Sequence, residues 1–344
     1  MARRKGVRLE QIAKEVGASI VTVSNALNDR KGVSDELRKK IKETAAAMGY
    51  QINKENHAKK KASYVIGVIV AERYVKEFPS FYMDIYKRIA QESTKRGCMT
   101  ILEVVDCAKE SLEYNFSAFQ GSGVSGIIII GEMNRAYVSA VKKMYEGPIV
   151  CVDFYDVEED IDYIVTDSYG GMEQMTELLL QNGMKKLMFV GTPKATGSIM
   201  DRYLGFVKAM TKYGIEVCSE QILYDRDEDV YKYKMDVELP EILPDGFVCN
   251  CDKTARMLIE KLMERGVQIP EEVSVVSFDH YYSQAQHGIE LTTYENDEKI
   301  MANISVNTLI KRIEGGRQPA GVRIVEGKIV HGNTVKFQKE GGGA

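Results

Sequence analysis

The chain has 344 residues, 44% of them hydrophobic and 28% charged, with a formal net charge of −4 at neutral pH. That length allows two or three domains with sizeable cores. No apolar run reaches about 18 residues and no charged-apolar-small leader opens the chain, which argues against membrane insertion and secretion and for a cytoplasmic protein.

The net charge conceals an asymmetry: residues 1–61 carry 15 Lys/Arg against 7 Asp/Glu, a net of +8, and the rest carries −12. A basic head on an acidic body is the electrostatic footprint of a small DNA-binding module, with contact to phosphate confined to the head. Within the head, Leu9, Ile12, Ala13 and Val16 recur at helical spacing, so a first helix presents one apolar face. Gly17 permits the backbone that ends it, and Ser19 caps the next helix by accepting an early N–H. This second helix, about Ile20 to Asn28, buries Val23, Ala26 and Leu27 and leaves Thr22, Ser24, Asn25 and Asn28 polar. Ser34 caps a third helix, Asp35 and Glu36 suit its positive end, and Gly49 stops it after Met48. A helix, a tight Gly-containing turn and a second helix form the unit that lays its second helix in the major groove of DNA. Residues 51–61 are polar, lack an apolar stripe and cannot hold a helix alone.

The body opens on Tyr64-Val65-Ile66-Gly67-Val68-Ile69-Val70, a continuous apolar run typical of a strand buried on both faces. Strands and helices then alternate. The pattern predicts helix 80–96, strand 98–105, helix 109–120, strand 126–130, helix 134–146 and strand 148–152. A second set follows, with helix 168–182, strand 186–191, helix 198–213, strand 221–224, strand 246–249, helix 252–265 and strand 273–277. Helix 296–313 and short strands near 322–326 and 329–335 close the chain. Such alternation implies parallel sheets with helices on both faces, in two lobes. Ligands of such sheets bind beyond the carboxyl ends of the strands, here in the crevice between the lobes.

Other motifs carry little chemistry. The six cysteines (Cys98, Cys107, Cys151, Cys218, Cys249, Cys251) form no C-x-x-C pair and read as buried, reduced thiols. The four histidines show no metal spacing, no Ser sits in a G-x-S-x-G elbow, and neither a metal nor a cofactor is expected. Gly121-Ser122-Gly123-Val124-Ser125-Gly126 spells the dinucleotide fingerprint, but that motif works only after a strand and at the start of a helix. Here it precedes the strand Ile127–Ile130, so it reads as a loop.

Leu9–Asn28 with Gly32-Val33-Ser34, Arg38, Ile41 and Gly49-Tyr50 resembles the headpiece of the lactose repressor/galactose repressor family of bacterial transcription regulators. The body resembles the family's sugar-binding-protein-like core at Ile66–Val70, Gly126-Ile127-Ile128 and Val165-Thr166-Asp167 with Gly170-Gly171. Further matches are Asp201-Arg202 with Gly205-Phe206, Asn250-Cys251-Asp252, Val273–Asp279 and Leu291-Thr292-Thr293. The resemblance therefore implies a small all-α helix-turn-helix head on an α/β, two-lobed, periplasmic-binding-protein-like core with parallel sheets. It implies a head at 1–50, a hinge linker at 51–63 and an N-terminal lobe at 64–164 with a return segment about 296–320. A C-terminal lobe at 165–295 with about 321–335, and a tail at 336–344, complete the division.

The resemblance also assigns roles. Ile20, Val21 and Asn25 fall at the family's main base-reading positions, while Ser19, Thr22, Ser24 and Asn28 are suited to the backbone and to phosphates. The family's hinge leucine, which wedges into the minor groove, is replaced by Lys59, so contact by charge is expected there instead. Asp167, Arg202 and Asp252 match places that contact ligand in the family, with Asp279 at a strand end a further candidate. Phe81 and Tyr82 fall where some members stack an aromatic on a ligand ring. Carboxylates accept the paired hydroxyls of a sugar, and a guanidinium fork takes a carboxylate, a phosphate or adjacent oxygens. Arg202 paired with Asp167 or Asp252 for structure alone is the competing reading, as is a core role for Phe81 and Tyr82. The implied protein is no enzyme. It is a cytoplasmic, ligand-responsive regulator, a repressor, acting as a homodimer on a near-palindromic operator and controlled by a small, sugar-type effector. The alternative is a solute-binding or sensor protein on the same two-lobed core.

Overall fold

A computed structural model describes residues 7, 9–27, 32–48, 50, 63–76, 80–106, 119, 121–156, 160–227, 234, 237–281 and 285–337. The chain separates into two compact units, 1–62 and 63–344. In the first, helices α1 (Leu9–Val16), α2 (Ile20–Leu27) and α3 (Asp35–Ala47) enclose Ile12, Ala13, Val23, Ala26, Leu27, Ile41 and Ala45. Gly17 adopts φ +70°, a left-handed conformation that ends α1 at little cost only for glycine. Ser19 Oγ accepts the Thr22 N–H at 3.0 Å, and Ser34 Oγ accepts the Leu37 N–H at 3.4 Å, so both caps expected from sequence form. Arg38 of α3 closes the end of α2, donating to the carbonyls of Asn25, Ala26 and Val33 at 3.4 Å each. The first two are carbonyls that the end of α2 leaves without intrahelical partners, and the third lies in the turn before α3.

The second unit begins with β1 (Val65–Ala71), α4 (Glu72–Val75), α5 (Phe81–Lys95), β2 (Met99–Val105), β3 (Val124–Ile130), α6 (Arg135–Met144), β4 (Ile149–Val152) and β5 (Asp162–Thr166). It continues with α7 (Ser168–Gln181), β6 (Leu187–Val190), α8 (Gly197–Lys212), β7 (Ile222–Leu223), β8 (Gly246–Cys249), α9 (Asp252–Glu264), β9 (Ser274–Asp279) and β10 (Thr292–Glu295). Helix α10 (Glu298–Ile313) and strands β11 (Val322–Val325) and β12 (Lys328–Val330) complete it. One sheet has the order β11-β5-β4-β3-β1-β2 and is parallel throughout. The other has the order β12-β10-β9-β8-β6-β7 and is parallel except for β12.

The apolar run in β1 follows from burial on both faces. Ile66, Val68 and Val70 pack under α5 and α10, whereas Ile69 packs with α6, as the alternation of a strand requires. The second sheet is covered by α7 and α8 on one side and by α9 on the other. The first lobe is finished by α10 and β11 from the C-terminal end of the chain, and the second by β12. The backbone crosses between the sheets from β5 to α7, back from β10 to α10, and once more from β11 to β12.

Several expectations need correction. Strand 322–326, assigned from sequence to the C-terminal lobe, pairs with β5 in the first sheet, so the last crossing comes after Val325 rather than near residue 320. Strands β5 and β10 were not anticipated, because each carries polar residues whose partners are remote. Asp162 is buried against Arg312 at 2.7 Å, and Thr293 Oγ1 donates to Asp252 at 2.7 Å. Cys218 is exposed, in contrast to buried Cys98, Cys151, Cys249 and Cys251. The glycine-rich segment 121–126 is a turn entering β3, the wrong side of a strand for a dinucleotide site. Residues 109–118 of the expected helix 109–120, most of the hinge linker, Gly49 and Cys107 lie outside the described residues, and Phe119 is in a turn.

Candidate functional site

The head presents one face of α2. Ile20 and Val21 at its start are 47% and 68% exposed, an unusual place for two β-branched residues in a domain with so small a core. Thr22, Ser24 and Asn25 are half-buried on the same short helix, and Ser19 Oγ lies 2.8 Å from Thr22 Oγ1. Ser19 is therefore engaged in capping as well as lying at the exposed entry to the helix. Asn28 and Lys59 fall outside the described residues.

In the body, side chains converge from the carboxyl ends of parallel strands, where such folds place their ligands. Arg202 on α8 is held on several sides. Its Nη1 donates to the Asn250 carbonyl at 2.7 Å, its Nε to Ser168 Oγ at 3.3 Å, and its Nη2 lies 3.0 Å from Asp279 Oδ1. The guanidinium also stands 4.0 Å from the centre of the Phe278 ring. Asp279, at the end of β9, takes φ +100° and accepts from Asn296 Nδ2 at 3.0 Å. A non-glycine residue in that region is strained, and here an ion pair and an amide fix it in place.

Opposite stands Asp153, which follows β4 with φ +67° and is 6% exposed. Burial pushes its carboxyl up to about 7; Arg202 opposes the shift, Asp279 and Glu132 add to it, and a hydrogen bond from Tyr82 opposes it. Burial likewise holds the Tyr82 hydroxyl well above its ordinary value. Tyr82 lies 4.1 Å from Tyr74, ring centre to centre, and 5.3 Å from Phe81. Gly131 (φ +79°) makes this possible, since a Cβ there would come within 2.6 Å of Tyr74 and 2.9 Å of Tyr82. The Glu132 carbonyl then accepts from Tyr74 at 2.8 Å and from Arg73 at 2.6 Å.

Contacts among the described residues bridge the lobes. Gly197 N–H at the start of α8 donates to Glu132 Oε2 at 2.7 Å. The Tyr155 hydroxyl lies 3.2 Å from each carboxylate oxygen of Asp201. Phe81 meets Tyr281 edge-on at 5.9 Å. Burial raises both Glu132 and Asp201 above the usual carboxylate range.

Of the residues singled out from sequence, Arg202, Asp279, Phe81 and Tyr82 are thus brought to one cleft. Asp167 caps α7, accepting the Gly170 N–H at 2.9 Å. Asp252 is 1% exposed and accepts from Ser277 Oγ at 2.6 Å and Thr293 Oγ1 at 2.7 Å, so it braces the second lobe from within. The partner of Arg202 is Asp279, not Asp167 or Asp252. Sequence reasoning missed Glu132, Asp153, Asp201, Tyr74, Tyr155 and Tyr281. Asp153 carried a usable signal, an acid directly after an apolar strand, the same signal that marked Asp279. The arrangement is rich in acceptors, holds the Arg202 guanidinium in a fixed orientation and is flanked by aromatic rings, a combination suited to a polyhydroxylated molecule. Among the described residues no group of three or more His, Cys, Asp or Glu could hold a metal ion, and no helix is long and apolar enough to cross a membrane.

Comparison with known proteins agrees in both units. Residues 8–53 match the model for bacterial regulatory proteins of the lacI family, and residues 176–335 match a periplasmic binding protein-like domain. The HTH-type transcriptional repressor PurR of Glaesserella parasuis serovar 5 is 24% identical over 312 residues, 89% of this chain and 90% of that protein. Among solved structures, a complex of the transcriptional regulator CelR with cellobiose superposes with a TM-score of 0.68 at 19% identity, covering 95% of this chain and 99% of that one. The lac repressor dimer bound to operator and the anti-inducer ONPF gives 0.63 at 20% identity, with 96% and 99% covered.

Proposed function

The chain belongs to the lacI family of bacterial regulatory proteins, DNA-binding transcription regulators without enzymatic activity, and from that premise we propose how this member works. It acts as a cytoplasmic repressor whose operator affinity is set by a small polar effector of sugar type, held between the lobes. The head comprises residues 1–50 and the hinge 51–63. Ile20, Val21 and Asn25 read bases, Ser19, Thr22, Ser24 and Asn28 hold the backbone, and Lys59 adds charge. Two heads of a homodimer meet the two half-sites of a near-palindrome, because a closed two-fold assembly presents its heads symmetrically. The effector lies against Arg202, Asp279, Phe81 and Tyr82, together with Asp153; Asp167 and Asp252 support the cleft from behind.

The observation that carries the effector assignment is the meeting of Arg202–Asp279 from one lobe with Tyr82–Asp153 from the other. A molecule bound between them touches both lobes, so its binding energy acts on their closure. The structurally similar CelR was solved with cellobiose, which favours a sugar over other polar ligands. Genomic fragments retained by the purified chain would reveal the operator. Mono- and disaccharides suggested by the neighbouring genes are then expected to change its affinity at least tenfold. A chain that retains no fragment above background, or an operator affinity unmoved by any sugar that raises the melting temperature, would refute the corresponding half of the proposal.

A further inference from the structure

Two features of the cleft could receive an anion, and the protein fills both itself. The first is the N-terminus of α8, where N–H groups and the helix dipole attract negative charge. There the Gly197 N–H donates to Glu132 Oε2 at 2.7 Å, so a carboxylate of the first lobe already sits against it. The second is the Arg202 guanidinium. Its nitrogens go to the Asn250 carbonyl, Ser168 Oγ and Asp279 Oδ1, and its face lies on the Phe278 ring.

The acids are not matched in the same way. Among the described residues no ion pair reaches Glu132, Asp153 or Asp201. Their carboxylates are met instead by the Gly197 N–H and by the hydroxyls of Tyr82 and Tyr155. Glu132 acts on Asp153 and is acted on by Asp201, so the three make one patch of negative potential. Arg73, the other guanidinium nearby, donates to the Glu132 carbonyl and lies 4.8 Å from the centre of the Tyr74 ring. Asn296, 5% exposed and directly after β10, gives its amide nitrogen to Asp279, while its Oδ1 accepts from none of the described groups. Beside these acceptors stand the rings of Tyr74, Tyr82, Phe81 and Tyr281.

We propose that the effector is a polyhydroxylated ammonium, an amino sugar in its protonated form, whose cationic nitrogen sits among the carboxylates of Glu132, Asp153 and Asp201 beside the Tyr82 ring. The proposal rests on the reading of the cleft as an effector site and adds the charge of what binds there.

Charge decides the class. A phosphorylated or carboxylated sugar would meet carboxylates where it needs donors, because the helix end and the guanidinium are already taken. A neutral sugar could donate its hydroxyls to the same oxygens, but it would bury the carboxylates without a counter-charge. An ammonium has three donors and no acceptor, so it suits a site whose open positions are acceptors, and it brings the counter-charge. The aromatic faces attract a cation further. Burial that holds Asp153 up to about 7 is offset once a cation lies beside it. Since Glu132 and Asp153 come from one lobe and Asp201 from the other, a shared cation also draws the lobes together.

The test is calorimetric titration of the full chain at about pH 7, below the ordinary value of such amines. The probes are glucosamine, galactosamine and mannosamine, the corresponding hexoses, their N-acetyl derivatives and the hexose phosphates. At least one amine is expected to bind at least about tenfold more tightly than both its hexose and its N-acetyl form, and the phosphates are expected not to bind. In Asp153→Asn, whose amide keeps the shape and tolerates φ +67°, that preference should fall at least about fivefold. Glu132→Gln, whose amide oxygen can still accept from Gly197, gives the same readout if the first variant does not fold. A hexose, N-acetyl sugar or phosphate that binds as tightly as its amine overturns the proposal, as does an amine preference that survives both substitutions. Either result leaves the sugar-effector reading standing. Binding by no amine also overturns the proposal, and the effector reading falls with it only if no other sugar binds; retention of operator DNA tests the head separately.

Discussion

Asn25 and Arg202 show how differently two polar residues can be used. Asn25 lies half-buried on α2, behind two exposed β-branched side chains that can neither donate nor accept. One amide matches the donor and acceptor on the major-groove edge of adenine, whereas Ile20 and Val21 suit thymine methyls. Operators selected from a random pool are therefore expected to carry an A·T pair at the position facing Asn25. Asn25→Arg should move that position toward G by about 1–3 kcal/mol of discrimination. An unchanged consensus would remove Asn25 from the readout. Arg202, by contrast, is 5% exposed and committed to protein partners as well as to the cleft. Its loss leaves the Asp279 carboxylate and the Asn250 carbonyl without it. Arg202→Ala is thus expected to destabilise the body by about 3–5 kcal/mol in denaturant titrations and to abolish any effector response. A variant as stable as wild type would mean that Asp279 finds water or another donor.

At the level of elements, α2 depends on α3. The Arg38 guanidinium ties the carbonyl end of α2 to the turn before α3, so removing it frees the recognition helix to fray. Arg38→Met keeps the aliphatic stem and should cost the head about 1–3 kcal/mol, seen as lower operator affinity at constant body stability. Equal affinity in the two proteins would show that core packing alone holds α2. The linker is a separate element whose chemistry is readable only from sequence. Lys59, expected to match the family's wedge position, opens the lysine run Lys59-Lys60-Lys61. Changing all three to Ala is expected to reduce the log–log salt slope of operator binding by about 0.9 for each phosphate that is no longer neutralised. Strong bending of the operator centre, insensitive to that change, would mean that another side chain inserts.

For the molecule as a whole, the cleft acids make stability depend on pH. Asp153 is held at about 7 in the folded body, above its unfolded value, so its destabilising effect is absent below about pH 4 and complete above about pH 7. Asp153→Asn should therefore raise the melting temperature at pH 8 and change little at pH 4. The limit set by the shift is about 4 kcal/mol, and relaxation of the lobes makes the observed gain smaller. A gain equal at both values would point to packing rather than charge. The same acids tie the two lobes, since Glu132 accepts from Gly197 and Asp201 from Tyr155 across the cleft.

Much of this was written locally. The 3.6-residue spacing of Leu9, Ile12, Ala13 and Val16, the caps Ser19 and Ser34, and the unbroken apolar run of β1 report on residues a few positions apart, where covalent geometry alone fixes who can meet. Strand-helix alternation likewise sufficed for two parallel sheets, because the crossover rules leave few other ways to bury such segments. The acids that end strands were visible too, but not which of them would meet. Asp167, Asp252 and Asp279 follow strands in similar fashion, yet one became a cap, one an internal brace and one the partner of Arg202. That choice, like the capture of β11 by the first sheet and the gathering of Glu132, Asp153 and Asp201, depends on segments far apart in the chain. Only tertiary packing brings those segments together, by removing water from some carboxyls and leaving it to others.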